Sequence, residues 1–255
     1  MISLLYPGHL ARSEMVWVRL QACRYTGARL TFPRHMKTLL SALALSFAFA
    51  LPHVASAQET ADIQTLTRLS EQGSVDAQLA LAEELLLAQK HEEAMHWYTQ
   101  AAQQNHAEAQ YQLGVLQQAV NRDMNESRQW LERAVQQGHG KAQQLLGFMY
   151  QFGRGVEPDM TKAEHLYKQS AEQGNAIAQQ ALGAIYASRK DYAKALHWFE
   201  LSAEQGHSLG LSSLGGLYER GEGVAQDKAR ARELYVMACD AGNLIGCDNL
   251  ERLDK

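Results

Sequence analysis

The chain has 255 residues and a formal charge of −4, but the charge is unevenly spread: the first 57 residues hold six basic residues and one acidic, leaving 18 basic against 27 acidic, a formal −9, in the rest. A surface so acidic repels phosphate backbones, which excludes nucleic acid as the expected partner. From Met36 the sequence reads as a secretory signal peptide over 36–57: Lys37 supplies the positive start, Leu39 to Leu51 the apolar stretch, Pro52 the break, and Ala55-Ser56-Ala57 the small residues a signal peptidase needs. Cleavage is expected between Ala57 and Gln58, and an apolar run of 13 residues is too short to span a bilayer. No cysteine for lipidation lies at the cleavage point, so no stable membrane insertion is expected after signal removal and the product is expected to be periplasmic or secreted. Residues 1–35 then precede a signal. Either translation starts at Met36 and the upstream stretch is an extension of the reading frame, or it is an Arg-rich disordered leader. Undiminished export after mutation of the Met36 codon would exclude the first.

Downstream the chain repeats itself. Gly73, Asn105, Gly138, Gly174, Gly206 and Gly242 recur at intervals of 32, 33, 36, 32 and 36 residues. Four residues after each stands a small one (Ala77, Ala109, Ala142, Ala178, Gly210, Gly246), and four further on a leucine (Leu81, Leu113, Leu146, Leu182, Leu214, Leu250). A period in this range with helical patterning predicts a stacked array of two-helix units. We place the array at 58–255, with units near 74–105, 106–138, 139–174, 175–206 and 207–242 and a half-unit at 243–255.

In each first helix the small residue, Leu, Gly or Ala, and usually Tyr share one helical face, as in Ala142, Leu146, Gly147 and Tyr150. Gly147 and Gly183 each cost about 1 kcal/mol relative to Ala in mid-helix, which makes sense where a neighbouring helix passes too close for a methyl group. Second helices open near Asp159, Asp191 and Asp227, credible N-caps. Large pairs such as Trp97-Tyr98 and Trp198-Phe199 follow, then small residues, then Glu-Gln-Gly at 71–73, 172–174 and 204–206, where Gly suits a left-handed cap. The 36-residue units carry Gly153-Arg154-Gly155-Val156 and Gly221-Glu222-Gly223-Val224 between their helices, so insertions fall in a turn.

This ordered set of positions resembles the Sel-one-like repeat (SLR), a relative of the tetratricopeptide repeat, over roughly residues 60–255. The first two copies depart from it: Ala82 replaces the Gly, Leu85 and Gln117 replace the Tyr, and the Gly-x-Gly-Val turn is missing. The resemblance implies an all-α fold, a right-handed α-solenoid of antiparallel helix pairs. The last copy is similar to the secreted, cysteine-rich branch of the family, in which two cysteines eight positions apart join one unit to the next; here they are Cys239 and Cys247. That implies a disulfide; the alternative is two buried free thiols.

No catalytic constellation emerges. Histidines follow the repeat, His96, His165 and His197 sharing one column, which fits packing or a solvated flank better than a metal site. His91 and His96 are five apart, missing the zinc-protease spacing of four. Ser-x-x-Lys and a phosphate-binding Gly-rich loop ending in Gly-Lys-Ser/Thr are absent from the sequence. No cofactor or metal is expected. What remains is the inner curve. By resemblance to tetratricopeptide stacks, the residues two and six after the small one line the concave side: Leu79 and Glu83, Tyr111 and Val115, Gln144 and Phe148, Gln180 and Ala184. Apolar side chains on that otherwise polar face suggest a binding strip for a protein or peptide, centred on Tyr111, Val115 and Phe148; alternatively Val115 and Phe148 only pack between helices. The expected function is an exported protein-interaction scaffold. The rival, a hydrolase or penicillin-binding enzyme, rests on links between the cysteine-rich branch and penicillin binding.

Overall fold

The computed structural model describes residues 63–255. The upstream stretch 1–35, the signal segment 36–57 and the cleavage point at Ala57 and Gln58 lie outside the described residues. Residues 63–71 are helical. Five hairpins follow: α1 (Val75–Leu87) with α2 (His91–Gln103), α3 (Ala107–Leu116) with α4 (Met124–Gln136), α5 (Gly140–Phe152) with α6 (Met160–Glu172), α7 (Ala176–Ser188) with α8 (Tyr192–Glu204), and α9 (Ser208–Arg220) with α10 (Lys228–Asp240). A last first-type helix, α11 (Leu244–Leu253), closes the described chain, which contains no strand. Each helix packs on the next along the chain, and first helices touch across units, α7 on α9 and α9 on α11. Stacking of near neighbours is the contact pattern of an α-solenoid.

Helix starts are set by side chains that accept the unpaired amides of the first turn. Asp123, Asp159, Asp191 and Asp227 cap α4, α6, α8 and α10, whereas α2 starts at Lys90 without a side-chain cap. First helices are capped by Ser74, His106, His139, Asn175, His207 and Asn243, each accepting from the amide of the small residue three positions on. Three histidines thus serve as N-caps through Nδ1, a role the sequence reading did not assign them.

The packing logic is large against small. A methyl group on Gly183 would sit 2.6 Å from the Phe199 ring, and one on Gly215 2.8 Å from the Tyr235 ring. In the first unit the equivalent Ala82 is wholly buried near Tyr98. At the end of the described chain Glu251 takes this column, exposed, with no second helix over it.

Hairpin turns absorb the unequal periods. Where the period is 32, the turn passes through left-handed Gln89 or Lys190; where it is 36, through the pairs Gly153 and Gly155 or Gly221 and Gly223. The single extra residue of the 33-residue unit is accommodated differently: α3 widens into a π-helical turn over Gln117–Asn121 before Arg122 reverses the chain at φ 56°. A π-turn inserts one residue without unstacking its helix.

Buried glutamines tie the units together. Gln78 Nε2 donates to the Ser70 carbonyl (3.1 Å), Gln110 Nε2 to that of Ala102 (3.2 Å) and Gln179 Nε2 to that of Ala171 (3.2 Å), each eight residues back at the end of the preceding second helix. Their Oε1 atoms, and that of Gln143, accept from Gln104, Gln137, Gln205 and Gln173 at the C-caps of their own second helices, at 2.7–2.9 Å. In the fifth unit both partners change together, to Leu211 and Ala241. At α11 the glutamine column holds Cys247 and the carbonyl column Cys239, and the two are joined as a disulfide across the same eight residues. Arg232 with Asp254 (2.8 and 3.0 Å) and Arg252 with Glu219 (both 2.6 Å) add bidentate ion pairs that hold α11 against α10 and α9.

Candidate protein-interaction face

The odd-numbered helices carry the residues singled out as a binding strip, and the structure places them half in and half out of the core. Leu79 packs on the cluster around Tyr98 and Leu113, Tyr111 on that around Leu131 and Leu146, and Phe148 on that around Tyr167 and Leu182. Val115, Gln144 and Gln180 are half-buried, whereas Glu83 and Ala184 are exposed. Tyr111 stacks on the imidazole of His139 at 5.0 Å between centroids, bridging α3 and the start of α5. Burial, then the nearby Glu108 charge, raises the Tyr111 pKa. Gln180 Nε2 reaches Ser213 Oγ on α9 at 3.5 Å.

Two members of this face were missed from sequence. Phe152, 58% exposed, packs against Phe148 at 4.7 Å, and the Arg154 guanidinium lies 4.9 Å from the Phe148 ring. One turn of α5 separates Phe148 from Phe152, the signal that could have extended the strip. The other is Glu108, on α3 beside Tyr111: its carboxylate accepts from His139 Nε2 at 2.9 Å and from Gln112 Nε2 at 2.7 Å, and the His139 hydrogen bond is the main cause of its lowered pKa. Because His139 Nδ1 accepts the Ala142 amide, the proton shared with Glu108 sits on Nε2 of a neutral ring.

Toward the C-terminal end the same face deepens into a groove of about 370 Å³ in which α7, α9 and α11 all take part, with Ala184, Leu209, Gly216, Ile245 and Arg252 in its walls. Arg252 and Glu219 are paired there, the carboxylate held below its usual pKa chiefly by the arginine. Among the described residues no group of three or more His, Cys, Asp or Glu side chains could hold a metal ion, and no helix is long and apolar enough to cross a membrane.

Five consecutive copies of the Sel1 repeat match, at residues 75–106, 107–139, 140–175, 176–207 and 208–243. The chain belongs to the Sel1 repeat family. Among solved structures, this Sel1 repeat protein is similar to c5321, a protective antigen of uropathogenic Escherichia coli displaying an SLR fold: 31% identity, TM-score 0.69, over 74% of this chain and 43% of the antigen. The chain thus spans less than half the antigen's length. A Sel1 repeat protein from Oxalobacter formigenes matches at 28% identity and TM-score 0.64, over 68% of this chain and 76% of that one. A protein from Klebsiella pneumoniae shares the fold at 24% identity and TM-score 0.51, over 76% and 99%. No curated protein matches the chain. Sel1 and related tetratricopeptide-like repeats generally bind proteins or peptides.

Proposed function

We propose that this Sel1 repeat protein is an exported, non-catalytic scaffold that holds a peptide segment or loop of a partner protein along the face of its first helices. The observation that carries the reading is the aromatic strip of α3 and α5. Phe152 is more than half exposed against half-buried Phe148, and half-buried Tyr111 lies on the preceding first helix, an arrangement the core does not require and that a desolvated anchor would use. Export is supported by the signal pattern over 36–57 and by the Cys239–Cys247 disulfide, which suits an oxidising compartment and is the feature the chain would share with the secreted cysteine-rich branch.

The test is site-specific photocrosslinking in the native envelope. A crosslinker at Gln144 or Phe152 is expected to capture a defined segment of one partner, and a crosslinker at exposed Lys168 on α6 is not. Capture should vanish in Tyr111→Ala/Phe148→Ala with the helical signal retained. Equal capture from both faces, or unfolding of the double variant, would show that the strip is only core. A serine labelled by fluorescent penicillin would replace the scaffold with the enzyme reading.

A further inference from the structure

The two first-helix columns expected to line the inner curve change size along the array. Two places after the small residue stand Tyr111, Gln144 and Gln180, then Ser212; six places after it stand Val115, Phe148 and Ala184, then Gly216. The side chains shrink toward α9, and the groove in which α7, α9 and α11 take part opens where they do.

Packing accounts for neither of the two small residues on α9. Gly215 has a neighbour that needs it, the Tyr235 ring, whereas a methyl group on Gly216 would have as its nearest contact the Arg220 guanidinium of its own helix, at 3.1–3.6 Å. Glycine weakens a helix interior, so one with no other helix that close calls for a different reason. Ser212 lines the groove at 4% exposure, and its hydroxyl finds no hydrogen-bond partner among the described residues, although the adjacent Ser213 accepts from Gln180. Buried hydroxyls in folded proteins are paired as a rule.

What the groove offers is donors. Ser212, Gly216 and Arg220 follow one another at four-residue spacing along α9, and Asn249 and Arg252 line the groove from α11. Arg220 uses only Nε on Glu222 (2.7 Å) and keeps both Nη groups; Arg252 uses both Nη groups on Glu219 and keeps Nε. Those two acids lie outside the lining, which holds two arginines and no carboxylate in a chain with 27 acidic and 18 basic residues beyond residue 57. The Arg220 side chain is 56% exposed, and an ion pair so open to water holds its partners weakly. A guanidinium with free N–H groups beside an unpaired hydroxyl matches a carboxylate, and Leu209 with half-exposed Ile245 supplies apolar wall for its stem.

We propose that the groove of α7, α9 and α11 is a receptor for a glutamate or aspartate side chain of the bound partner segment, held by the Arg220 Nη groups, Ser212 and Asn249. The inference rests on the scaffold reading and gives it a chemistry: a segment anchored on the aromatic strip of α3 and α5 runs on along the first helices and carries an acid where it reaches α9.

Pools of short peptides, random in neutral residues, amidated at the carboxyl end and each with one fixed residue, are passed over the immobilised protein. Pools fixed as Glu or Asp should be retained over the Gln pool by about ten-fold, the order of one hydrogen bond to a charged group. Arg220→Gln should erase most of that preference, whereas Arg230→Gln, the same change of charge on exposed α10, should leave it intact. Ser212→Ala should reduce the preference without lowering the melting midpoint, because the protein loses no bond of its own. Gly216→Ala should reduce it and raise the midpoint, whereas Gly215→Ala, which meets the Tyr235 ring, should lower the midpoint. A preference undiminished in Arg220→Gln, or equal retention of the Glu, Asp and Gln pools by the unmodified protein, overturns the receptor and leaves the scaffold standing. So does better retention of pools with a free carboxyl end whatever their fixed residue, which would put a chain terminus in the groove instead. If no pool is retained at all, the scaffold reading falls with it.

Discussion

At the junctions entering α3 and α7, a glutamine amide bonds a carbonyl eight residues earlier; at the junction entering α11, two sulfurs are bonded over the same eight residues. The geometry of the tie is conserved along the array while its strength changes. A buried amide must be satisfied on both sides, so Gln110 grips the end of α2 with Nε2 and the end of α4 with Oε1, coupling three helices at once. Such a tie serves a unit with neighbours before and after it. α11 has no following helix in the described chain, and there a covalent bond to one side does the work of the two-sided clamp. Between these regimes the fifth hairpin dispenses with the polar pair and packs Leu211, 3% exposed, with Ala241 in the partner column.

The comparison can be broken most directly at the disulfide. Cys239→Ser/Cys247→Ser should cost about 2–3 kcal/mol, the loop-closure value for so short a span. Hydrogen exchange should show the loss concentrated in α11, with α1 to α8 still protected; uniform loss would mean the array melts as one unit. Next in size, Gln110→Leu removes the hydrogen bonds to Gln137, to the Ala102 carbonyl and to Asn105, leaving Asn105 as the remaining partner of the first two, and should cost about 1–2 kcal/mol in denaturant unfolding. Adding Gln137→Ala, which copies the fifth unit, should recover part of that loss. Strictly additive effects would show that the paired change at Leu211 and Ala241 is coincidental.

Smaller shifts test the tyrosine hydroxyls of the second helices: Tyr167 donates to Gln151, nine residues after Ala142, whereas the buried Tyr98 hydroxyl has no hydrogen-bond partner and Leu86 stands nine residues after Ala77. Leu86→Gln should raise stability by about 1 kcal/mol, and Tyr167→Phe should lower it by a similar amount. The least is expected from acid. Burial holds the His207 pKa below the ordinary histidine value, so the folded chain binds fewer protons there than the unfolded one. The contribution of that cap is complete above the unfolded pKa, about 6.5, and is lost as the pH falls toward the lower folded value. His207→Asn, which copies the Asn175 cap, should flatten the melting midpoint between pH 7 and pH 5 without lowering it at pH 7.5.

Much of this architecture was legible in the chain because the columns that specify it are chemically uniform. Ala, Leu and Gly recur at helical spacing, and a methyl group at Gly183 collides with Phe199 as that spacing implied. The glutamine ties were equally periodic, at 78, 110, 143 and 179, yet a polar column reads as surface until the carbonyl it satisfies is known. His106, His139 and His207 hid as caps because imidazole is an unusual one. Their signal was the shared column with Ser74, Asn175 and Asn243. That the Tyr98 hydroxyl lacks the partner Tyr167 finds in Gln151 could not be read at all without the register between two antiparallel helices, since the pairing depends on which turn of one passes the other. The aromatic strip was located on its helices, but its exposed end at Phe152 was not, because the residue follows the column by a turn.

Glu251 stands in the column where every earlier hairpin has glycine or alanine. A further second helix laid on α11 at the same separation would have to shut a carboxylate away from solvent with no cation assigned to it, at a cost of several kcal/mol. Lengthening the array at this end by copying a hairpin would therefore call for this acid to be exchanged first for a small residue.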